Sequence, residues 1–388
     1  MQDIFQTKLS SSHGAEKRAI TKMNYYLFIH NLQRGGAEHV VSMLAERWSR
    51  DVTVTIILLE NVVEFDLPAK VRVISLDCVV DPLHFYSGML VWQAKRRLYA
   101  ILAEDKGPFA FYSFLESPNF TSLLLKRRFP NGIFIGSTRG SPFLYNRIFN
   151  LLYPYYKHLD AFIVNSQANR RLFVDKFGLA EEKVIFIPNP IDFVAIERQA
   201  TEKIPNMLAE LIGKKTLILA VGRLEKVKNY ALLLRAFARM PASENAAHLI
   251  ILGDGSERHN LLRLAERLGV RTRLTMPGLV TNPYVWMANA DLFVLSSNHE
   301  GWPNVLVEAM VCGLPVVACD CQTGPAEILR NGTFGPLVPT NNVEALSAAM
   351  AKQLHRGKTE YPFLKEWDVD IIAKRYRSVA EDILRQRP

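Results

Sequence analysis

This sequence predicts an α/β protein built from two parallel-sheet domains, and three observations predict it. Short apolar runs alternate with helical stretches, the pattern of parallel strands joined by crossover helices. The rhythm breaks at Pro188-Asn189-Pro190 and restarts at Thr216. A length of 388 residues suits two domains of ordinary size.

In chain order, residues 1–22 carry no apolar core pattern and read as a disordered tail; without an apolar h-region they are not a secretory signal. Tyr25 to Ile29 is a first buried strand. The loop His30 to Gly36 carries the Gly35-Gly36 pair, and a helix runs from Ala37 to about Trp48. Glycine lets a backbone approach a ligand closely, or simply makes a turn. Further strand signals lie at Val52–Leu59, Val71–Leu76, Phe109–Phe114, Ile133–Ser137, Ala161–Val164 and Val184–Ile187. The linker is expected at residues 188–190, with polar Glu197 to Pro205 after it. The domains are then 23–190 and 191–367, with a terminal helix over 371–388 completing the first. In the second half, strands are expected at Thr216–Val221, His248–Leu252 and Arg273–Met276, with helices at Asn229–Arg239, Glu257–Leu268 and Asn282–Ala288.

The stretch Asp291 to Glu327 is the most informative. Leu292 to Leu295 is a buried-strand run, Ser296 to Trp302 a polar loop, and Pro303 suits a helix start. That helix ends near Cys312, with Gly313 and Pro315 stopping it before the strand Val316–Ala318. Glu308 is its only charge among apolar neighbours. A buried carboxylate is costly unless donors reach it. Those donors are an internal ion pair, water at a helix edge, or the hydroxyls of a bound sugar or ribose. Glu300 lies eight positions earlier, in the loop. The first N–H groups of the helix, at Asn304 and Val305, suit a phosphate.

The run HEGWPNVLVEAM followed by GLPVVA resembles the Glu-x7-Glu signature of retaining glycosyltransferases with the GT-B fold, family 4. The resemblance covers the chain from about Met23 onward. It implies two Rossmann-like domains facing across a cleft, with the terminal helix crossing back onto the first. It implies that Glu308 contacts the nucleotide ribose and Glu300 the transferred hexose, with Gly301, Asn304 and Val305 beside the donor. Gly222, Arg223 and Lys228 look like the family's Gly-Arg-x4-Lys element, which binds the donor pyrophosphate. Gly35 and Gly36 would face the donor diphosphate and the acceptor. Asp254 and Arg258 resemble the turn near the base pocket, which Gly278 to Asn282 would complete. Ser166 and Arg170 resemble an interdomain Ser-x3-Arg element. Where relatives carry a histidine after a middle strand, this chain has Arg139; it would steady the acceptor phosphate or the leaving group. His30 and His299 are weighed as structural or hydroxyl-binding groups.

Composition narrows the rest. The net charge of +9 admits nucleic acid, an anionic membrane face or phosphorylated substrates. No zinc finger or RNA-recognition motif supports nucleic acid. The segment Phe85 to Leu102 mixes Lys95-Arg96-Arg97 with aromatic and aliphatic residues, as an interfacial helix does; the alternative is a domain helix with a solvated basic face. A second basic cluster is Lys126-Arg127-Arg128. Four cysteines lack zinc-ligand pairing and fit reduced thiols of the cytoplasm. Asp368-Val369-Asp370 follows no strand and reads as helix capping, so the expected chemistry is metal-independent, with a nucleotide sugar as co-substrate. The expected acceptor is a glycan or a polyprenyl-diphosphate-linked sugar at the inner face of the membrane. A UDP-linked hexose or N-acetylhexosamine is the preferred donor, with GDP-mannose open. A nucleotide-sugar 2-epimerase of the same fold and a non-catalytic basic adaptor are the alternatives.

Overall fold

The computed structural model describes residues 23–33, 35–78, 88–140, 147–241 and 246–387. The expected disordered tail, Phe85 and Tyr86 of the basic segment, and Ser141-Pro142 beyond Arg139 lie outside them. The chain forms two units, Met1–Pro190 with Val369–Pro388, and Ile191–Asp368.

The first unit is built from β1 (Asn24–Ile29), α1 (Gly36–Trp48), β2 (Val54–Leu58), β3 (Arg72–Ser75), α2 (Gly88–Ala103), β4 (Phe109–Phe114), α3 (Glu116–Lys126), β5 (Gly132–Thr138), α4 (Arg147–Leu152), β6 (Ala161–Val164), α5 (Gln167–Asp175) and β7 (Val184–Phe186). All seven strands are parallel, in the order β3-β2-β1-β4-β5-β6-β7. Continuous apolar runs such as FAFYSF become fully buried strands because helices cover both faces. On one face Val40, Val41 and Leu44 of α1 join Tyr112 and Phe114. On the other, Leu90, Ala94 and Leu98 of α2 join Phe109, Phe111 and Phe134.

The second unit comprises α6 (Phe193–Ala200), α7 (Asn206–Ala209), β8 (Thr216–Val221), α8 (Tyr230–Ala238), β9 (Ala247–Leu252), α9 (Arg258–Arg267), β10 (Leu274–Gly278), α10 (Tyr284–Ala288), β11 (Leu292–Leu295), α11 (Asn304–Val311), β12 (Val316–Cys319), α12 (Pro325–Ile328), β13 (Leu337–Val338) and α13 (Val343–Leu354). Its six parallel strands run β10-β9-β8-β11-β12-β13. The final helix, α14 (Val369–Gln386), belongs to the first unit. There Trp48 Nε1 donates to the Ala373 carbonyl at 2.9 Å and the Tyr112 hydroxyl to the Tyr376 carbonyl at 2.6 Å.

One expectation is corrected. The polar stretch expected after the linker, Glu197 to Pro205, begins inside a helix: α6 is capped by the Asp192 side chain, which accepts from the Ala195 N–H at 3.0 Å, and it buries Ile196. It packs on α10 and α11. The strand β13 and the helices α7 and α13 were not foreseen.

The topology sets where a ligand fits. In each sheet the chain builds outward on one side, then returns to the other side of its first strand. The reversal falls between β1 and β4 in the first sheet and between β8 and β11 in the second. Ligands of open α/β sheets bind beyond the carboxyl ends of the strands at such reversals.

Candidate functional site

At the carboxyl edge of the second sheet, glycines let three strand ends meet. Gly222 donates its N–H to the Leu252 carbonyl at 2.9 Å, Leu224 to Asp254 at 2.8 Å, and Gly253 to Gly278 at 2.9 Å. A Cβ on Gly253, whose φ is +131°, would lie 2.1 Å from the Gly222 oxygen, so only glycine fits.

The loops after β8 and β11 are sewn together at the reversal. The Ser296 hydroxyl donates to the Lys228 carbonyl at 2.8 Å, and the Asn298 N–H to the Val227 carbonyl at 2.8 Å. Asn229, left-handed at φ 49°, caps α8 and donates to Asn298 Oδ1 at 2.9 Å. This stitching delivers two charges to one point. Lys228 Nζ donates to Glu300 Oε1 at 2.7 Å, and the Ser297 hydroxyl donates to the same oxygen at 2.6 Å. The side chains are only 20% and 10% exposed. The Thr323 hydroxyl donates to the Glu300 carbonyl, fixing the loop from behind.

Gly301, Trp302 and Pro303 lead into α11, whose first two residues are Asn304 and Val305. Trp302 packs edge-on against Trp367, with ring centroids 5.0 Å apart. One turn further on, Glu308 is buried. No described residue donates to its carboxyl group or pairs with it, and burial alone pushes it up to about 7. The nearby Tyr284 phenol is raised by its own burial and then by the charge of Glu308. Thus the buried acid foreseen in the sequence has no internal cation among the described residues.

The other foreseen residues divide. Arg223 lies at the same edge, 75% exposed, and pairs with Glu225 at 2.8 Å. Asp254 is exposed and accepts from the Gly255 N–H at 2.8 Å. Arg258 donates to the Met276 carbonyl at 2.7 Å. Just before α10, Asn282 Oδ1 accepts from the Tyr284 N–H at 2.9 Å, and its Nδ2 donates to the Gln199 carbonyl at 2.7 Å. His299 is exposed. Gly35 and Gly36 stand at the start of α1, at the first sheet's reversal. His30, at the end of the neighbouring strand, lies 3.6 Å from Glu60, and burial lowers its pKa.

Arg139 and Arg170 are both engaged within the first unit. Arg139 is buried in the first unit, donating to Asn189 Oδ1 at 2.9 Å and to the Tyr376 hydroxyl, over the faces of Phe114 and Tyr376. Burial lowers its pKa to about 9. A guanidinium engaged this way ties α14 to the end of the unit. Arg170 binds the Val184 carbonyl at 2.8 Å and Glu181 at 3.1 Å, clasping α5 to β7, and Ser166 caps α5. Ser297, Thr323 and Tyr284 were missed. A pair of serines after an apolar strand is the only hint the sequence offers for Ser297. Among the described residues no group of three His, Cys, Asp or Glu side chains is placed to hold a metal ion.

Comparison with known proteins matches both halves. The family model for glycosyl transferases group 1 matches residues 207–363, and that for glycosyltransferase family 4 matches residues 34–194. The N-acetylgalactosamine-N,N'-diacetylbacillosaminyl-diphospho-undecaprenol 4-alpha-N-acetylgalactosaminyltransferase of Campylobacter jejuni is 30% identical over 344 residues, covering 86% of this chain and 90% of the relative. The lipopolysaccharide core biosynthesis glycosyltransferase LpsE of Rhizobium meliloti is 35% identical over 34% of this chain and 38% of its own. Among solved structures, Anabaena Alr3699/HepE in complex with UDP and glucose superposes with a TM-score of 0.67 at 19% identity, covering 94% of this chain and 96% of that one. A Rickettsia africae glycosyltransferase superposes at 0.76 with 13% identity, covering 94% and 100%.

Proposed function

Because the chain belongs to the glycosyltransferases of the GT-B fold, with family 4 and group 1 halves, we propose that it moves a hexose or N-acetylhexosamine from a UDP-linked donor to a polyprenyl-diphosphate-linked or oligosaccharide acceptor, with retention at the anomeric carbon. The observation that carries the reading is the Lys228–Glu300 pair, at 2.7 Å, its Glu300 in the loop that leads into α11, whose second turn carries the donorless carboxyl of Glu308. In this reading the hydroxyls of the donor's ribose complete the bonding of Glu308. Glu300 orients the sugar. Lys228, Arg223 and the amino end of α11 balance the diphosphate as it leaves, where negative charge develops. The bond from the anomeric carbon to phosphate breaks, its electron pair staying on the phosphate oxygen. The acceptor oxygen bonds to the same face of that carbon, and its proton passes to the departing phosphate. The fixed cations do the work a divalent ion would otherwise do, so the transfer is metal-independent.

A panel of UDP- and GDP-sugars, read by thermal shift, tests the donor; a true donor at saturating concentration raises the melting point by mass action. Transfer to a polyprenyl-diphosphate sugar should then proceed unchanged in excess chelator, and NMR of the product should show the donor's anomeric configuration. No shift with any nucleotide sugar, loss of turnover in chelator, or an inverted product would each defeat the corresponding part.

A lipid-linked acceptor places the work at a membrane face, in this reading the inner one. No helix among the described residues is long and apolar enough to cross a membrane. The amphipathic face of α2 supports a surface encounter instead: Trp92 and Tyr99 are 59% and 49% exposed, with exposed Arg96 on the same helical face. Co-sedimentation with vesicles containing anionic lipid should be salt-sensitive and weakened by Trp92→Ser. Equal binding to neutral vesicles, or none to either, would remove this part.

A further inference from the structure

The first sheet has its own reversal, and a carboxyl group stands there that the donor chemistry does not use. Beyond β4, Leu115 is held at φ 72°, ψ 171°. Residues with a side chain rarely adopt that region, because it strains the backbone. The turn is pinned by the Leu115 N–H donating to the Ser137 carbonyl and the Asn119 N–H to the Leu115 carbonyl, both at 3.0 Å. Glu116 follows, 2% exposed. Its Oε1 accepts from the hydroxyls of Thr138 at 3.3 Å and Tyr153 at 3.4 Å. No lysine, arginine or histidine among the described residues pairs with it, and burial pushes it up to about 7 against the help of those hydroxyls and its own backbone N–H.

Buried polar groups are nearly always fully supplied, so a carboxyl held by two hydroxyls and no cation, directly after a strained turn, calls for an explanation. A carboxyl kept only for shape would be matched by a cation or exchanged for an amide at lower cost. This turn also lies where open α/β sheets bind their ligands.

We propose that the Leu115–Glu116 turn is an acceptor seat, in which the Glu116 carboxyl accepts hydrogen bonds from hydroxyls of the sugar-bearing acceptor on the first unit. The inference rests on the transfer reading above and adds a residue that recognises the acceptor. Thr138 then acts through Glu116, as a positioning residue.

The test is steady-state kinetics with acceptor and donor varied separately. Glu116→Gln keeps the shape but loses the charge, and should raise acceptor KM about ten- to a hundredfold, the worth of one hydrogen bond to a charged group. Donor KM should stay at its wild-type value. Thr138→Val should move acceptor KM in the same direction by less. Melting curves show whether both variants fold. An acceptor KM within twofold of wild type in both variants, or a donor KM rising in step, overturns the seat. A binding readout separates this from failure of the donor reading. A short-chain acceptor sugar should shift the melting point of the wild type and not of Glu116→Gln; an equal shift in both also overturns the seat.

Discussion

Lys228→Ala is expected to lower kcat on the order of 10²- to 10³-fold, the usual cost of losing one fixed charge aimed at developing negative charge. The same change leaves Glu300 with the Ser297 hydroxyl and no cation. An unpaired, largely buried carboxylate also destabilises the fold. The two effects must be separated. The double variant Lys228→Ala/Glu300→Gln removes the stranded charge, so its melting point should return toward wild type. Its kcat should stay low, because the departing diphosphate still lacks its lysine. If the double variant recovered turnover to within tenfold of wild type, Lys228 would be a structural partner of Glu300 and nothing more.

Glu308→Gln should strengthen the ligand-free fold while weakening the donor complex. Burial holds the Glu308 carboxyl near 7, against about 4.5 in an unfolded chain. A carboxyl raised in this way favours folding while it is protonated and costs stability as pH rises from the unfolded value through the folded one. That gap corresponds to about 3 kcal/mol above neutrality. Glutamine cannot ionise, so the gain should be small near pH 5 and reach its plateau near pH 8. Thermal melts of the two proteins across that range read it directly. A gain that is flat with pH, or larger in acid, would contradict the burial argument. The donor should respond oppositely. Hydroxyls donating to the carboxyl favour its ionised form, so nucleotide-sugar affinity in the wild type should rise with pH through about 7, and Glu308→Gln should lose both that slope and at least tenfold in affinity. This is the trade expected where a site keeps a costly group for its ligand.

Much of the fold was legible because parallel strands buried on both faces need continuous apolar runs. Phe109–Phe114, Ala161–Val164, Thr216–Val221 and Leu292–Leu295 are read residue for residue. The failures have physical reasons. β13 is two residues long and takes its identity from pairing with β12, not from any pattern of its own. α6 looks like linker because its exposed face is charged; only Ile196 points inward, and the helix exists because α10 and α11 receive it. Arg139 enters the site only through the family resemblance, and its contact with Tyr376, 237 positions later, is held by no local pattern.

The sequence alone determined the strand–helix rhythm, the restart after Pro190 and the isolated acid in an apolar helix, because each is a local pattern of burial and chain geometry. Only the tertiary structure decided which charges meet. Lys228 and Glu300 are 72 residues apart, and no spacing rule joins them. They touch because the chain, after β10, returns to lay β11 beside β8, so the two loops leave the sheet at one reversal. Adjacency of strands comes from the order in which a sheet is wound, a property of the whole unit that no window of residues contains.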